Sequence, residues 1–335
     1  MMTKKIKNKL LNYAKGIVIA GLLIAQPAFA KTSSIISQPP GNGWYTYGTT
    51  FSQLIPKTTN GEYKIKLIPR GGGMTNPVAV NQGKADFGFA TSNAAVWARD
   101  GLTDIYKGRT NKELRMVLDN VQQAYTITVA RKGWVESTGN DTWEKIIKAD
   151  KVVIAMKPTG SQVPIIADYI FESLGTDFET LKKEGKIVQM GSGQASQMMR
   201  DNAIDVYIDN VPAMHPNLTE MTLTSDVTYI PYSKKTLTDL AKVGLPTGTM
   251  PAGTYDDQTE DYVNPVSATV FLTNSKVSDD IVYNVTKALV ENQAEIKKTH
   301  SPLKFWHPED IGSHEQVIEL HPGAEKYYRE KGWIK

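Results

Sequence analysis

"IAMKPTGSQVPII", residues 154–166, is the stretch on which the fold turns. An apolar strand runs into Pro-Thr-Gly-Ser, and an apolar helix follows at once. A strand–glycine–helix turn belongs to α/β architecture, and it puts backbone N–H groups at a helix N-terminus, where an anion is favoured. It is not a nucleotide loop. That motif needs glycine, four residues, then Gly-Lys-Ser/Thr, whereas Gly160 is followed by Ser161 and Gln162. Two readings of the turn stand side by side. Thr159, Gly160 and Ser161 form an anion site, or Ser161 is a helix cap and Gly160 a turn residue.

The same plan occurs earlier in the chain. Strand "YKIKLIP" (63–69), glycine loop "RGGGMTN" (70–76), a short helix, turn "GKAD" (83–86), strand "ADFGFA" (85–90) and loop "TSNAA" (91–95) make one copy. Strand "KVVIAM" (151–156), loop "KPTGS" (157–161), helix "PIIADYIFESLG" (164–175), helix "QASQMMRDNA" (194–203), strand "IDVYID" (204–209) and loop "DNVPAMHP" (209–216) make the second. Alternating strands and helices predict an α/β fold. In open α/β sheets such loops gather at the carboxyl edge, where ligands bind, so two facing edges would make a clamp. The glycines at 71–73 imply positive φ or a close approach to the backbone. Arg70 beside them is either a carboxylate partner or a solvated loop residue, and Asn76 either binds ligand or caps a helix. In "GNGWYTYG" (41–48), Trp44 and Tyr45 either face a ligand or pack in the core.

Bulk properties narrow the class. Residues 1–16 carry Lys4, Lys5, Lys7, Lys9 and Lys15 with no acid, and "IVIAGLLIA" (17–25) then leads into "QPAFA". This is the pattern of a secretory signal cleaved after Ala30; its apolar run is too short for a membrane-spanning helix. Removing those five lysines takes the formal charge from +3 to −2. A near-neutral chain with no basic run is a poor nucleic-acid binder. With no cysteine, an exported chain of this length must rest on its core alone, and it lacks the residue that accepts a lipid anchor. The expected location is the Gram-negative periplasm. His300, His307, His314 and His321 fall seven apart, but Pro302, Pro308 and Pro322 forbid one continuous helix, so no metal site is expected. No G-x-S-x-G elbow and no dinucleotide fingerprint is present, so neither catalysis nor a cofactor is expected.

Several stretches carry a resemblance. "HPGAEKYYREKGW" (321–333), "MPAGTYDDQTED" (250–261) and "TVFLTNSKVSDDIVYNVTKALVEN" (269–292) are similar to segments of the TAXI-type solute receptors of TRAP transporters. The binding loops of that family are matched in part: Asn42, Gly43, Trp44, Tyr45 and Gly48; Gly72, Gly73 and Asn76; Thr91, Ser92 and Asn93; Gly160 and Ser161, with a departure at Gln162 and Val163; and Pro212. The resemblance implies a two-lobe, type II-like periplasmic-binding-protein fold, each lobe a mixed sheet flanked by helices. Two hinge strands near 123–130 and 264–272 would join residues 31–126 plus 268–335 to residues 127–267. It further implies a receptor without chemistry of its own, a monomer that closes on a small organic anion and hands it to small and large TRAP membrane subunits. Glutamate and 2-oxoglutarate are ligands of such receptors. The expected site has Gly73, Met74, Asn76, Thr91, Ser92 and Asn93 on one wall, with Arg70 near. Thr159, Gly160, Ser161, Asp209 and Pro212 form the other wall, and Trp44 and Tyr45 cover the carbon skeleton. The rival readings are a receptor for an ABC-type or tripartite tricarboxylate importer, and an exported hydrolase.

Overall fold

The strands β1 (Lys31–Ile36), β2 (Tyr63–Ile68), β3 (Phe87–Thr91), β4 (Leu114–Arg131), β5 (Ile154–Met156), β6 (Ile187–Gln189), β7 (Val206–Pro212), β8 (Val227–Tyr229), β9 (Thr247–Met250) and β10 (Tyr262–Asn274) form one mixed sheet. They are seen in a computed structural model that describes residues 30–102, 106–313 and 316–335. The expected signal segment, apart from Ala30, and His314 lie outside the described residues.

The order β2-β1-β3-β10-β4-β7-β5-β6 explains the architecture. In one half, β1 pairs in parallel with both β2 and β3. In the other, β5 pairs in parallel with both β6 and β7. Between the halves lie two long antiparallel strands: β4 with 18 residues and β10 with 13. Their register sets Tyr125 opposite Val266 and Gln123 opposite Ala268, and it slips around Thr269 and Phe271. β10 pairs with β9 through Tyr262–Pro265 and with β3 through Thr269–Thr273, so one strand serves both halves. β4 likewise gives Ala124–Ala130 to β7. Long extended strands suit this place because Val, Ile, Thr and Tyr recur along "YTITVA" and "VSATVFL".

Helices cover both faces, and their packing follows from apolar spacing. Val163–Ser173 buries Val163, Ile166, Ala167, Ile170 and Phe171, a three-and-four rhythm that aims one stripe at the sheet. Phe51, Phe89 and Phe271 meet within 5.0–5.5 Å under the first half. The C-terminal signature belongs to this packing. Buried His321 accepts a hydrogen bond from Gly323 N–H and so caps helix Pro322–Glu330. A side chain on Gly323 would run into the Asp279 carbonyl at the start of helix Asp279–Glu291. Tyr328 then donates to the Val117 carbonyl, 2.8 Å away. Lys31–Lys335 pack as one compact unit, and no helix among the described residues is long and apolar enough to cross a membrane.

Three segments expected as loops are regular. β7 continues through Asn210 and Val211 to Pro212, because long β4 supplies a partner as far as Ala124. A helix begins at Ser92, directly after β3, carried by Ala94, Ala95 and Ala98 and ended by Gly101 in the left-handed region. Helix Gly43–Thr58 starts inside the glycine–aromatic stretch, so Trp44 and Tyr45 lie in its first turn. β5 is shorter than expected and starts at Ile154, not Lys151.

Candidate functional site

All six parallel strands end at one place. Ser37–Pro39 follow β1, Gly71–Gly73 follow β2, Thr91 closes β3, Lys157–Gln162 follow β5, Gly191 and Ser192 follow β6, and Pro212 closes β7. A cleft of about 810 Å³ lies among these ends. The opening stretch and its counterpart meet across it: a Cβ on Gly72 would sit 3.4 Å from the Gly160 carbonyl oxygen. Gly71 has φ +100° and Gly160 φ +101°, so each tight turn depends on glycine.

The electrostatics come from the backbone. Helices Gly43–Thr58, Ser92–Asp100, Val163–Ser173, Ser192–Arg200 and Pro216–Thr224 each have their first residue or the N-cap residue before it on the cleft wall. None of the five has a side-chain cap from its N-cap residue or an acid in its first turn. The other described helices of nine residues or more begin elsewhere, and each is capped: Lys234–Lys242 by Ser233, Asp279–Glu291 by Ser278, Pro322–Glu330 by His321. Uncapped N-termini leave N–H groups unpaired and carry roughly half a positive charge each. Five of them converging make the cleft attractive to an anion without a free cationic side chain. In one of them Ser161 Oγ accepts from Val163 N–H at 3.2 Å, which occupies one donor.

Lys157 is the only Lys, Arg, Asp or Glu on the cleft wall among the described residues, and it is spoken for. Its Nζ lies 2.8 Å from Asp209, which also accepts from Ser192 Oγ at 3.0 Å and the Tyr207 hydroxyl at 2.6 Å. Burial pushes Asp209 up, but Lys157, His215 and these donors outweigh it and hold the carboxyl below its ordinary range. The floor is a neutral network. Gln162 Oε1 accepts from Thr91 Oγ1 at 2.5 Å and Asn93 Nδ2 at 3.0 Å, while Gln162 Nε2 donates to Asn210 Oδ1 at 2.6 Å. Asn210 is tied in turn to Thr126 and Ser267. Gln162 thus joins the end of β3 to β7 through the start of its own helix.

The sequence-derived residues sort into two sets. Trp44, Gly73, Thr91, Thr159, Gly160, Ser161 and Pro212 line the cleft. Met74, Asn76, Asn93 and Asp209 are buried behind it, and Tyr45, Ser92 and Arg70 are placed off its wall. Asn76 neither caps its helix nor faces the cleft. Its Oδ1 accepts from Gly72 N–H, and its Nδ2 donates to the Ser37 and Phe89 carbonyls, which braces the glycine loop against β1 and β3. Met74 offers its carbonyl to the Tyr106 hydroxyl, and Ser92 Oγ accepts from Ala268 N–H. Trp44 stacks beside Phe89 and donates its indole N–H to Thr269.

Other wall residues were not among those expected to bind ligand: Lys157, Gln162, Tyr47, Gln122, His215 and His300. Lys157 and Gln162 flank the very turn that drew attention, so proximity alone could have found them. The Tyr47–Gln122 hydrogen bond spans 75 positions, and no local pattern announces it. The histidines spaced by seven scatter: His300 reaches the cleft, exposed His307 pairs with Glu309, and His321 caps a helix. No group of three or more His, Cys, Asp or Glu that could hold a metal occurs among the described residues.

The pattern of the NMT1-like family matches residues 35–332. The chain belongs to the NMT1-like family. Among solved structures, this NMT1-like chain is similar to MatC from Rhodopseudomonas palustris with bound malate: 13% identity, 91% of this chain and 99% of that one, TM-score 0.53. It is also similar to a Xanthomonas citri protein bound to ATP: 9% identity, 90% and 99% covered, TM-score 0.53. The periplasmic aliphatic sulphonate binding protein of Escherichia coli is more distant, at 12% identity, 90% and 83% covered, TM-score 0.46. At such identities the likeness is one of fold.

Proposed function

We propose that the protein is a periplasmic solute receptor that closes on a small organic anion and delivers it to a membrane permease, performing no chemistry itself. The observation that carries this reading is the convergence of five uncapped helix N-termini on one cleft between two glycine loops. Oriented backbone N–H groups bind an anion without a fixed counter-charge, so the site is reversible rather than a permanent salt bridge. Hydrogen bonds to a charged group contribute about 1.5–3 kcal/mol each, and four or five would sustain micromolar binding after ordering costs.

The two lobes are residues 31–126 with 268–335, and 127–267, hinged on β4 and β10. Strands shared by both halves bend with little loss of hydrogen bonding, which suits rigid-body closure. The permease is of the TRAP type and the receptor of its TAXI class, on the strength of the C-terminal and loop motifs quoted above.

A thermal-shift screen of organic acids, amino acids and aromatic acids tests the reading. An anion at a hundred times its dissociation constant adds about 2.7 kcal/mol of stability, a shift of several degrees. Ser161→Trp, which fills the cleft from its rim, should abolish that shift and leave the unliganded melting temperature unchanged. An unchanged shift removes this turn from the site. Turnover of a bound compound would instead support the hydrolase reading.

A further inference from the structure

Two histidines line the same cleft. His215 begins the helix Pro216–Thr224 on the β7 side, and His300 follows the helix Gln293–Thr299 beside the β1 side. Each is half-buried on the cleft wall, and each has a buried Nδ1 without a hydrogen-bond partner. They come from segments 85 positions apart that pack against different halves of the sheet. The chain reaches His215 through Met214 at φ +56°, a left-handed conformation that costs a methionine free energy and is retained only where surroundings enforce it.

The groups that face them set their charge. His215 has Lys157, Asp209 and His300 around it, and its backbone N–H donates to the Tyr255 hydroxyl at 3.0 Å. His300 has the Tyr47 ring edge-on at 5.5 Å. Burial, then Lys157, hold His215 down at about 4 against the pull of Asp209. Burial also lowers His300. Both rings are therefore neutral in the empty cleft at neutral pH, and a proton on His215 would meet the charge of Lys157. An anion placed between them reverses that balance, because it favours the charged imidazole that the empty site disfavours.

We propose that His215 and His300 form a proton-responsive clamp, so that the anionic solute is bound together with a proton taken from solvent onto one imidazole ring nitrogen. This rests on the receptor reading above and adds its regulation. Binding tightens as pH falls, by up to tenfold per unit for one coupled proton, between the raised value of the anion-bound ring and the empty-site value of about 4 for His215.

The test is the affinity for 2-oxoglutarate, L-malate and L-glutamate, measured calorimetrically from pH 4.5 to 7.5. In parallel, the imidazole carbon-bound proton resonances of the protein are titrated with and without each anion. The proposal expects a slope approaching one proton in the logarithm of affinity, and an upward-shifted titration of His215 or His300 in the bound state. His215→Asn with His300→Asn should weaken binding at acid pH most and flatten the slope of the affinity that remains. His307→Asn, which lies off the cleft, should leave the slope unchanged. Binding that is indifferent to pH, or a slope that survives the double variant, overturns the proton coupling and leaves the receptor reading standing. Failure of all three anions and of the wider acid screen to bind at any pH overturns both.

Discussion

Gln162→Leu removes the three buried hydrogen bonds that tie the two sides of the cleft floor together, with little change in side-chain volume. The partners differ in what they lose. Asn210 Oδ1 still accepts from Ser267 at 3.1 Å, so its loss is partial. Thr91 and Asn93, at 5% and 1% exposure, have no water to turn to, and Asn93 Oδ1 already lacks a partner. Stranding a buried polar group costs about 1–3 kcal/mol, so the closed arrangement loses about 2–6 kcal/mol for the two residues together. Opening the cleft would hydrate both at once. The variant should therefore open before it unfolds, and even the lower end of that loss shifts an open–closed ratio by roughly 30-fold. Small-angle X-ray scattering reads the radius of gyration directly, and urea denaturation reads stability. The expected result is a larger radius with a modest change in midpoint, and weaker anion binding. An unchanged radius together with an unchanged midpoint would refute the idea that Gln162 latches the lobes.

Other substitutions probe separate links. Gly71→Ala forces a side chain into Asn76 Oδ1 at a φ of +100°, so it should displace the brace between the glycine loop, Ser37 and Phe89. A loss of about 2 kcal/mol is expected in thermal denaturation, in the range of backbone-strain substitutions, and an unaltered melting temperature argues against the brace. Lys157→Met leaves Asp209 buried without its ion-pair partner, at about 3 kcal/mol near pH 7. In the native protein the lowered Asp209 stabilises above its unfolded value near 4, and that contribution fades as pH falls through the folded value. In the variant burial dominates and raises the carboxyl, so the deficit should shrink between pH 7 and about pH 5. Urea midpoints at the two pH values check it, and a deficit that does not move with pH counts against the pairing.

The α/β class was legible because period-two and three-and-four apolar patterns declare themselves within ten residues, as in 151–175. The meeting of the two glycine turns was also legible, since strand–turn–helix order fixes which edge a turn occupies. Side-chain roles were not. Asn76 looked like a ligand or a cap and is a brace, because its partners Ser37 and Phe89 are brought by strands 39 and 13 positions away. Asp209 looked like an open strand-end carboxylate, but one added stretch of pairing with β4 carries it inside the sheet, onto Lys157. Gln162 read as a departure from a family loop, and only the fold brings Thr91 and Asn210 to it.

One consequence of the strand order concerns synthesis. β3 and β4 are consecutive along the chain yet do not pair, since β10 stands between them. A polypeptide still lacking residues 262–274 therefore has two sheet fragments and no seam. A ribosome-bound chain halted near residue 255 should stay protease-sensitive in both fragments, and the whole would set only as the last fifth emerges. Such late closure keeps the nascent chain extended and unlocked until β10 has been made.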